Sequence, residues 1–179
     1  MKFVLIVLLS VVAAVLYGIV HDQITIRICP AYFTVAHPHL IDTGSLTVLA
    51  LAWGVVATWW VGLPLGLLLA ASSQLGRAPK VEARTVARRV LWLLLVMGAL
   101  AAIGGGVAWM LKMGGALRGA RPDLADAIAT ERHDRFMSAW VAHSISYAAG
   151  ALGGIGLAVW IAVERGRAAW RAAGERRAS

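Results

Sequence analysis

The residues able to do chemistry in this chain are five histidines and one cysteine. His21, Cys29, His37 and His39 lie between the first two apolar stretches, and His133 and His143 flank the start of the last one. Imidazole and thiolate suit zinc or copper, and imidazole is also the side chain that titrates nearest neutrality. His143 sits about two turns inside the last apolar stretch, near Trp140. With helical spacing, His143, Tyr147, Gly150 and Gly154 share one face, and Ser144 and Ser146 flank it. An ionisable group at that depth should face the bundle interior and have a partner there. The plain alternative is a packed histidine bonded to a neighbouring helix.

His21-Asp22-Gln23 follows the exit of the first apolar stretch, at a similar depth. An aspartate beside a histidine can fix its tautomer, as outer carboxylates do at metal sites; the alternative is a polar helix end. His21 and His143 are therefore the leading candidate pair for one site, with Tyr147, Tyr32 and Arg27 available to complete it. Cys29, His37 and His39 form a second candidate metal set, without a recognised finger spacing and without a fourth ligand. Histidines on a surface lid explain the same residues. His133 lies ten residues before His143. On a continuous helix that is about 15 Å along the axis, too far to share one ion. His133-Asp134 is a separate feature, contacting a lid, lining an entrance or lying on a solvated helix face.

These residues must be positioned by membrane helices. Of 179 residues, 60% are hydrophobic and 15% charged, against about 45–50% and 25% in soluble domains. The excess falls in four blocks, at about 3–20, 46–71, 90–111 and 137–163, each near the ~20 residues that cross hydrocarbon. No Asp, Glu, Lys or Arg lies inside any block. The expected fold is an all-α membrane protein, a single four-transmembrane-helix bundle. The net charge of +8 is a topology signal rather than a nucleic-acid signal. Segment 72–89 carries Arg77, Lys80, Arg84, Arg88 and Arg89 against Glu82, and the 164–179 tail is also basic. Positive-inside bias places both in the cytoplasm and segments 21–45 and 112–136 outside, with both termini in. A bacterial inner membrane is the expected location. Lys2 and the apolar run after it resemble a secretory signal, but Val15-Leu16-Tyr17-Gly18 is a poor cleavage site, so a retained first span is expected.

Gln23 to Cys29 alternate apolar and polar residues, which predicts an extended piece on the membrane surface. Pro30 and Pro38 then break regular structure, so the segment should cap the outer mouth as a lid. Gly62 with Gly66, and Gly150 with Gly154, are small-xxx-small pairs that let helices approach. Pro64 should kink the second span. The Gly104-Gly105-Gly106 run follows no strand, so it reads as close packing or a soft hinge, not a phosphate cradle. From Pro122 onward a helix should begin outside the membrane and run straight into the last span.

The chain resembles a family of uncharacterised bacterial polytopic membrane proteins. The resemblance rests on His21-Asp22-Gln23, Thr25, Arg27, Cys29, Tyr32-Phe33-Thr34 and His37-Pro38. Trp53-Gly54, Thr58-Trp59-Trp60 with Gly62, Phe136, Ala142-His143, Ser146-Tyr147, Gly150 and Gly153-Gly154 extend it over most of the chain except the third span and the tail. Similar proteins often carry an acid just before Tyr-Phe-Thr, where this chain has Ala31. If that acid is a ligand or base in the family, this chain lacks it. The resemblance implies topology and site location, and no activity.

Three functions fit. The leading one is a polar, His-containing site on the extracytoplasmic face that binds a metal, a lipid headgroup or a small partner. The second is a structural or assembly subunit that docks another membrane protein, or a second copy of itself, through its glycine faces. The third is a membrane hydrolase that uses a His-Asp pair as base, with Ser144 or Thr25 as nucleophile. Haem between His21 and His143 is a minor variant of the first. A single cysteine excludes dithiol shuttling. The absence of charge within the blocks argues against an ion pump.

Overall fold

The computed structural model describes residues 1–178, and every element among them is helical. In order these are α1 (Lys2–Ile28), α2 (Pro30–Thr34), α3 (Leu46–Val56), α4 (Trp59–Gln74), α5 (Ala83–Met110), α6 (Gly114–Ala120), α7 (Pro122–Ala127), a single 3-10 turn (Thr130–Arg132) and α8 (His133–Ala178). Four stretches are long and apolar enough to cross a membrane: Lys2–Ile28, Leu46–Gln74, Ala83–Met110 and Thr130–Arg176. Their outward faces are apolar, with Leu8, Leu16, Leu91, Trp92, Leu152 and Val159 exposed along them. Lipid is the solvent such a surface needs. The spans pack as a ring. α1 touches the α3–α4 span and α5, and α8 touches α5 and α4.

Two cores close the ends of the ring. One gathers Ile26, Phe33, Leu117, Phe136 and Met137, and the other Ile6, Leu69, Val86, Leu157 and Ile161. α1 crosses α3 almost backbone to backbone. A Cβ on Gly54 would lie 2.6 Å from the Ile19 nitrogen, and one on Gly18 would lie 2.7 Å from the Gly54 carbonyl oxygen. Gly62 and Gly66 similarly meet α1 at Ala14 and Ser10, at 2.8 and 2.9 Å. Gly150 and Gly154 meet only side-chain ends, those of Met97 and Leu65. In the glycine run, Gly104 and Gly105 pack against α8 while Gly106 faces open space.

Four local expectations change. Gln23 to Ile28 is helix, not extended, because α1 runs to Ile28. Ile26 is fully buried while Ile24 is 59% exposed; lipid accepts apolar side chains on the outer face, so alternation carries no strand signal here. α1 stops at Cys29, which precedes Pro30 and takes the extended backbone that proline imposes on its neighbour. The lid is therefore shorter, consisting of α2 and the coil up to Ser45, whose hydroxyl caps α3. Secondly, the second span is interrupted at Ala57–Thr58 and stays helical through Pro64. The proline ring acts on the turn before it, toward Trp60, so the disturbance falls upstream.

Thirdly, the helix from Pro122 does not run into the last span. α7 ends at Ala127 and a 3-10 turn precedes α8. Fourthly, His133 is buried, its Nε2 lying 2.9 Å from the Ile128 carbonyl and 3.1 Å from that of Ala125. Asp134 accepts a bond from the Gly114 backbone at 2.8 Å. His133-Asp134 thus clips α6 and α7 onto the start of α8, a structural task that accounts for both residues.

At the other end of the bundle Arg165 is buried. Its guanidinium donates to the carbonyls of Pro79 at 2.7 Å, Leu75 at 2.8 Å and Ala78 at 2.9 Å, and also to Ser72. One side chain thereby holds the Ser72 carbonyl near the end of α4 and folds the 75–79 turn against α8.

Candidate functional site

α1 is 27 residues long, and Asp22 sits twenty residues along it. At 1.5 Å per residue this is about 30 Å up the axis, the full thickness of the hydrocarbon layer. Asp22 is therefore inside a spanning helix, which the apolar-block boundaries concealed. It is 5% exposed and faces α8, where its Oδ1 lies 3.1 Å from Nε2 of His143. The other ring nitrogen of His143, Nδ1, is 2.8 Å from the Ala139 carbonyl. A carbonyl only accepts, so Nδ1 carries a proton. One further proton then serves Nε2 and the carboxylate together. The pair is either imidazolium with carboxylate or neutral imidazole with carboxylic acid.

His21, one residue before Asp22, sets its ring edge-on to His143 at 4.5 Å between centroids. Its Nε2 is buried and has no hydrogen-bond partner. The ligand atoms of His21, Asp22 and His143 lie within 4.8 Å of one another. Tyr32 of the lid stacks on His143 at 4.4 Å, and Phe33 meets the same ring at 5.7 Å. Burial, ahead of the nearby Tyr147 and Asp22, pushes the Tyr32 phenol up, so it remains an O–H donor at neutral pH. Tyr17, one turn before His21, stacks on it at 5.7 Å and shares a 2.7 Å hydrogen bond with Ser146. Tyr147 donates to the Ala57 carbonyl at 3.4 Å, at the break in the second span.

Below this cluster runs a cavity of about 350 Å³. His21, Asp22, His143, Tyr17, Tyr32, Ser146 and Tyr147 line its polar end. Ser10, Leu69 and Val90 line its far end, between all four spans.

Of the other polar candidate residues, only His37 lines this cavity. Gln23 donates to the Thr47 carbonyl at 2.9 Å, and Arg27 bonds Gln23 and the Thr47 hydroxyl. The two tie α1 to the start of α3 and line no part of the cavity. Cys29, His37 and His39 are not brought together. Cys29 is in the core at 1% exposure, and burial pushes its thiol up. His37 bonds the Tyr32 carbonyl through Nδ1 at 2.7 Å, and exposed His39 pairs with Asp42 at 3.2 Å. Ala31 is buried in the core. Ser144 is exposed and the Thr25 hydroxyl donates to the His21 carbonyl at 3.0 Å, so neither is placed to act as a nucleophile beside the pair.

The sequence reading missed Tyr17, Phe33 and Gly18. Tyr17 was findable, since it sits one turn before His21 on the same face. No protein-family model, curated protein or solved structure matches the chain.

Two imidazoles and a carboxylate make a neutral-to-anionic donor set for a divalent first-row ion. At bonds of about 2.0–2.1 Å, two ligands of a tetrahedral ion stand about 3.3 Å apart. Asp22 and His143 are already at 3.1 Å, and the ligand atoms of all three residues lie within 4.8 Å of one another. The His143 Nδ1–H to carbonyl bond is the outer contact that orients an imidazole for metal binding through Nε2.

Proposed function

We propose that this chain is a multi-pass bacterial inner-membrane protein that holds a divalent transition ion at His21, Asp22 and His143. The site sits at the extracytoplasmic edge of the bilayer and keeps an open coordination position toward the cavity. Kinship with the bacterial family that shares its His21–Pro38 signature belongs to the same proposal. The observation that carries it is the convergence of one ligand atom each from His21, Asp22 and His143 within 4.8 Å of one another, with His21 Nε2 buried and without a hydrogen-bond partner. A buried polar atom left unsatisfied costs about 1–3 kcal/mol, and a metal removes that cost. Zinc is the ion whose catalytic sites use three N/O ligands and leave the fourth position open.

Sidedness rests on charge. Arg77, Lys80, Arg84, Arg88 and Arg89 cluster at the end opposite the histidines. Haem is disfavoured, because imidazoles in edge contact at 4.5 Å leave no gap for a porphyrin between them. The test is elemental analysis of protein purified in mild detergent. One equivalent of metal is expected in the wild type and none in a His21→Ala, His143→Ala double variant. Equal metal in both, or none in the wild type, overturns the proposal.

A further inference from the structure

We infer that the cavity beneath the three ligands takes the single apolar chain of an anionic amphiphile, a long-chain carboxylate whose head reaches the metal. This rests on the metal reading above and adds the ligand class.

The shape argues for one chain. The cavity runs from the level of His21 to that of Ser10 on α1, eleven residues apart. That is about 16 Å of length. Spreading about 350 Å³ over it leaves a narrow channel, too small for a two-chain phospholipid and too long for a compact polar molecule. The polarity is graded. Polar atoms gather at the His21 end, while Leu65, Leu93, Leu94 and Met97 line the descent. Ser10, the only hydroxyl at the bottom, is committed to the Ile6 carbonyl at 2.8 Å. A chain with no polar atoms fits that surface, and water does not.

Charge argues for the anionic head. A divalent ion with Asp22 as its one anionic ligand leaves one net positive charge at the end of a mostly apolar cavity. No other carboxylate lines the cavity. Buried charge is costly unless paired, so the open position selects a monoanion that completes neutrality. The Tyr32 hydroxyl at the same end can donate to its second oxygen.

The test uses full-length protein in nanodiscs, with palmitate and methyl palmitate as probes and zinc content measured on each sample. Two variants of α8 are compared. Gly150→Leu puts a side chain into the cavity, where the one close neighbour is the flexible end of Met97. Gly156→Leu makes the same change where nothing lies within 4 Å.

The expected result is saturable binding of one palmitate to zinc-loaded wild type, at least tenfold tighter than methyl palmitate. Gly150→Leu should weaken palmitate at least tenfold while keeping its zinc, and Gly156→Leu should match the wild type. Zinc-loaded wild type without saturable palmitate binding, equal binding of the methyl ester, or full binding by Gly150→Leu overturns the inference and leaves the metal reading standing. Absence of zinc from the wild type instead overturns the metal reading beneath it.

Discussion

Replacing Asp22 with alanine separates the metal account from a purely structural one. In the metal-free protein the substitution removes the carboxylate 3.1 Å from His143 Nε2 and leaves that nitrogen buried. Breaking a buried ion pair costs about 3–5 kcal/mol when the remaining charge stays trapped. What Asp22→Ala leaves behind is one imidazole nitrogen without a partner, so the smaller cost of an unpaired polar atom is used here, about 1–3 kcal/mol. For a chain of this size each kcal/mol moves the melting temperature by about 2–4 °C, so Asp22→Ala should melt about 2–12 °C lower in chelator. Metal at a hundred times its Kd adds about 2.7 kcal/mol to the wild type, a further rise of about 5–11 °C. The variant, with a ligand gone, should show almost none of that rise. Thermal melts of both proteins in detergent, with chelator and with zinc, give all four numbers. If zinc raises both proteins equally, or if chelation leaves the wild type unmoved, Asp22 is not a ligand and the reasoning fails.

Three further outcomes follow from the packing. Gly54→Ala drives a Cβ into the Ile19 backbone and should cost about 1–3 kcal/mol by overpacking, whereas Gly44→Ala, with nothing within 4 Å, should melt like the wild type. Arg165→Lys cannot reach the carbonyls of Pro79, Leu75 and Ala78 together, so trypsin should cut after Arg77 or Lys80 at least tenfold faster than in the wild type; an unchanged cleavage rate would remove the clamp. Cys29, buried with its thiol pushed up, should resist maleimide at pH 7 in the folded protein and react at once in sodium dodecyl sulfate. Rapid labelling of the folded protein would show that α2 does not cover it.

The four-span architecture was legible because hydrocarbon demands unbroken apolar runs, and nothing else in the chain produces them. The depth of His21 and His143 could be read from the same runs, since each sits at the same end of its span. The partner of Asp22 could not. Adjacent residues on a helix point about 100° apart, yet His21 and Asp22 both reach His143 on α8, one by ring contact and the other by its carboxylate. Reading Gln23 to Cys29 as extended hid this, because only a continuous α1 fixes which residues face inward. The second metal set failed for a related reason. Pro30 starts a short helix that buries Cys29 beneath the lid, while His39 stays on the surface with Asp42. Gly18 and Gly54 were illegible in isolation; each is needed only because the other lies opposite it on a different helix.

The most direct measurement is X-ray absorption at the zinc edge of the metal-loaded, full-length protein. The account predicts two imidazoles and light oxygen ligands at about 2.0–2.1 Å with no sulfur shell. A sulfur shell at about 2.3 Å would place the metal at Cys29 instead, and a hydrated ion without imidazole would mean that no such site exists.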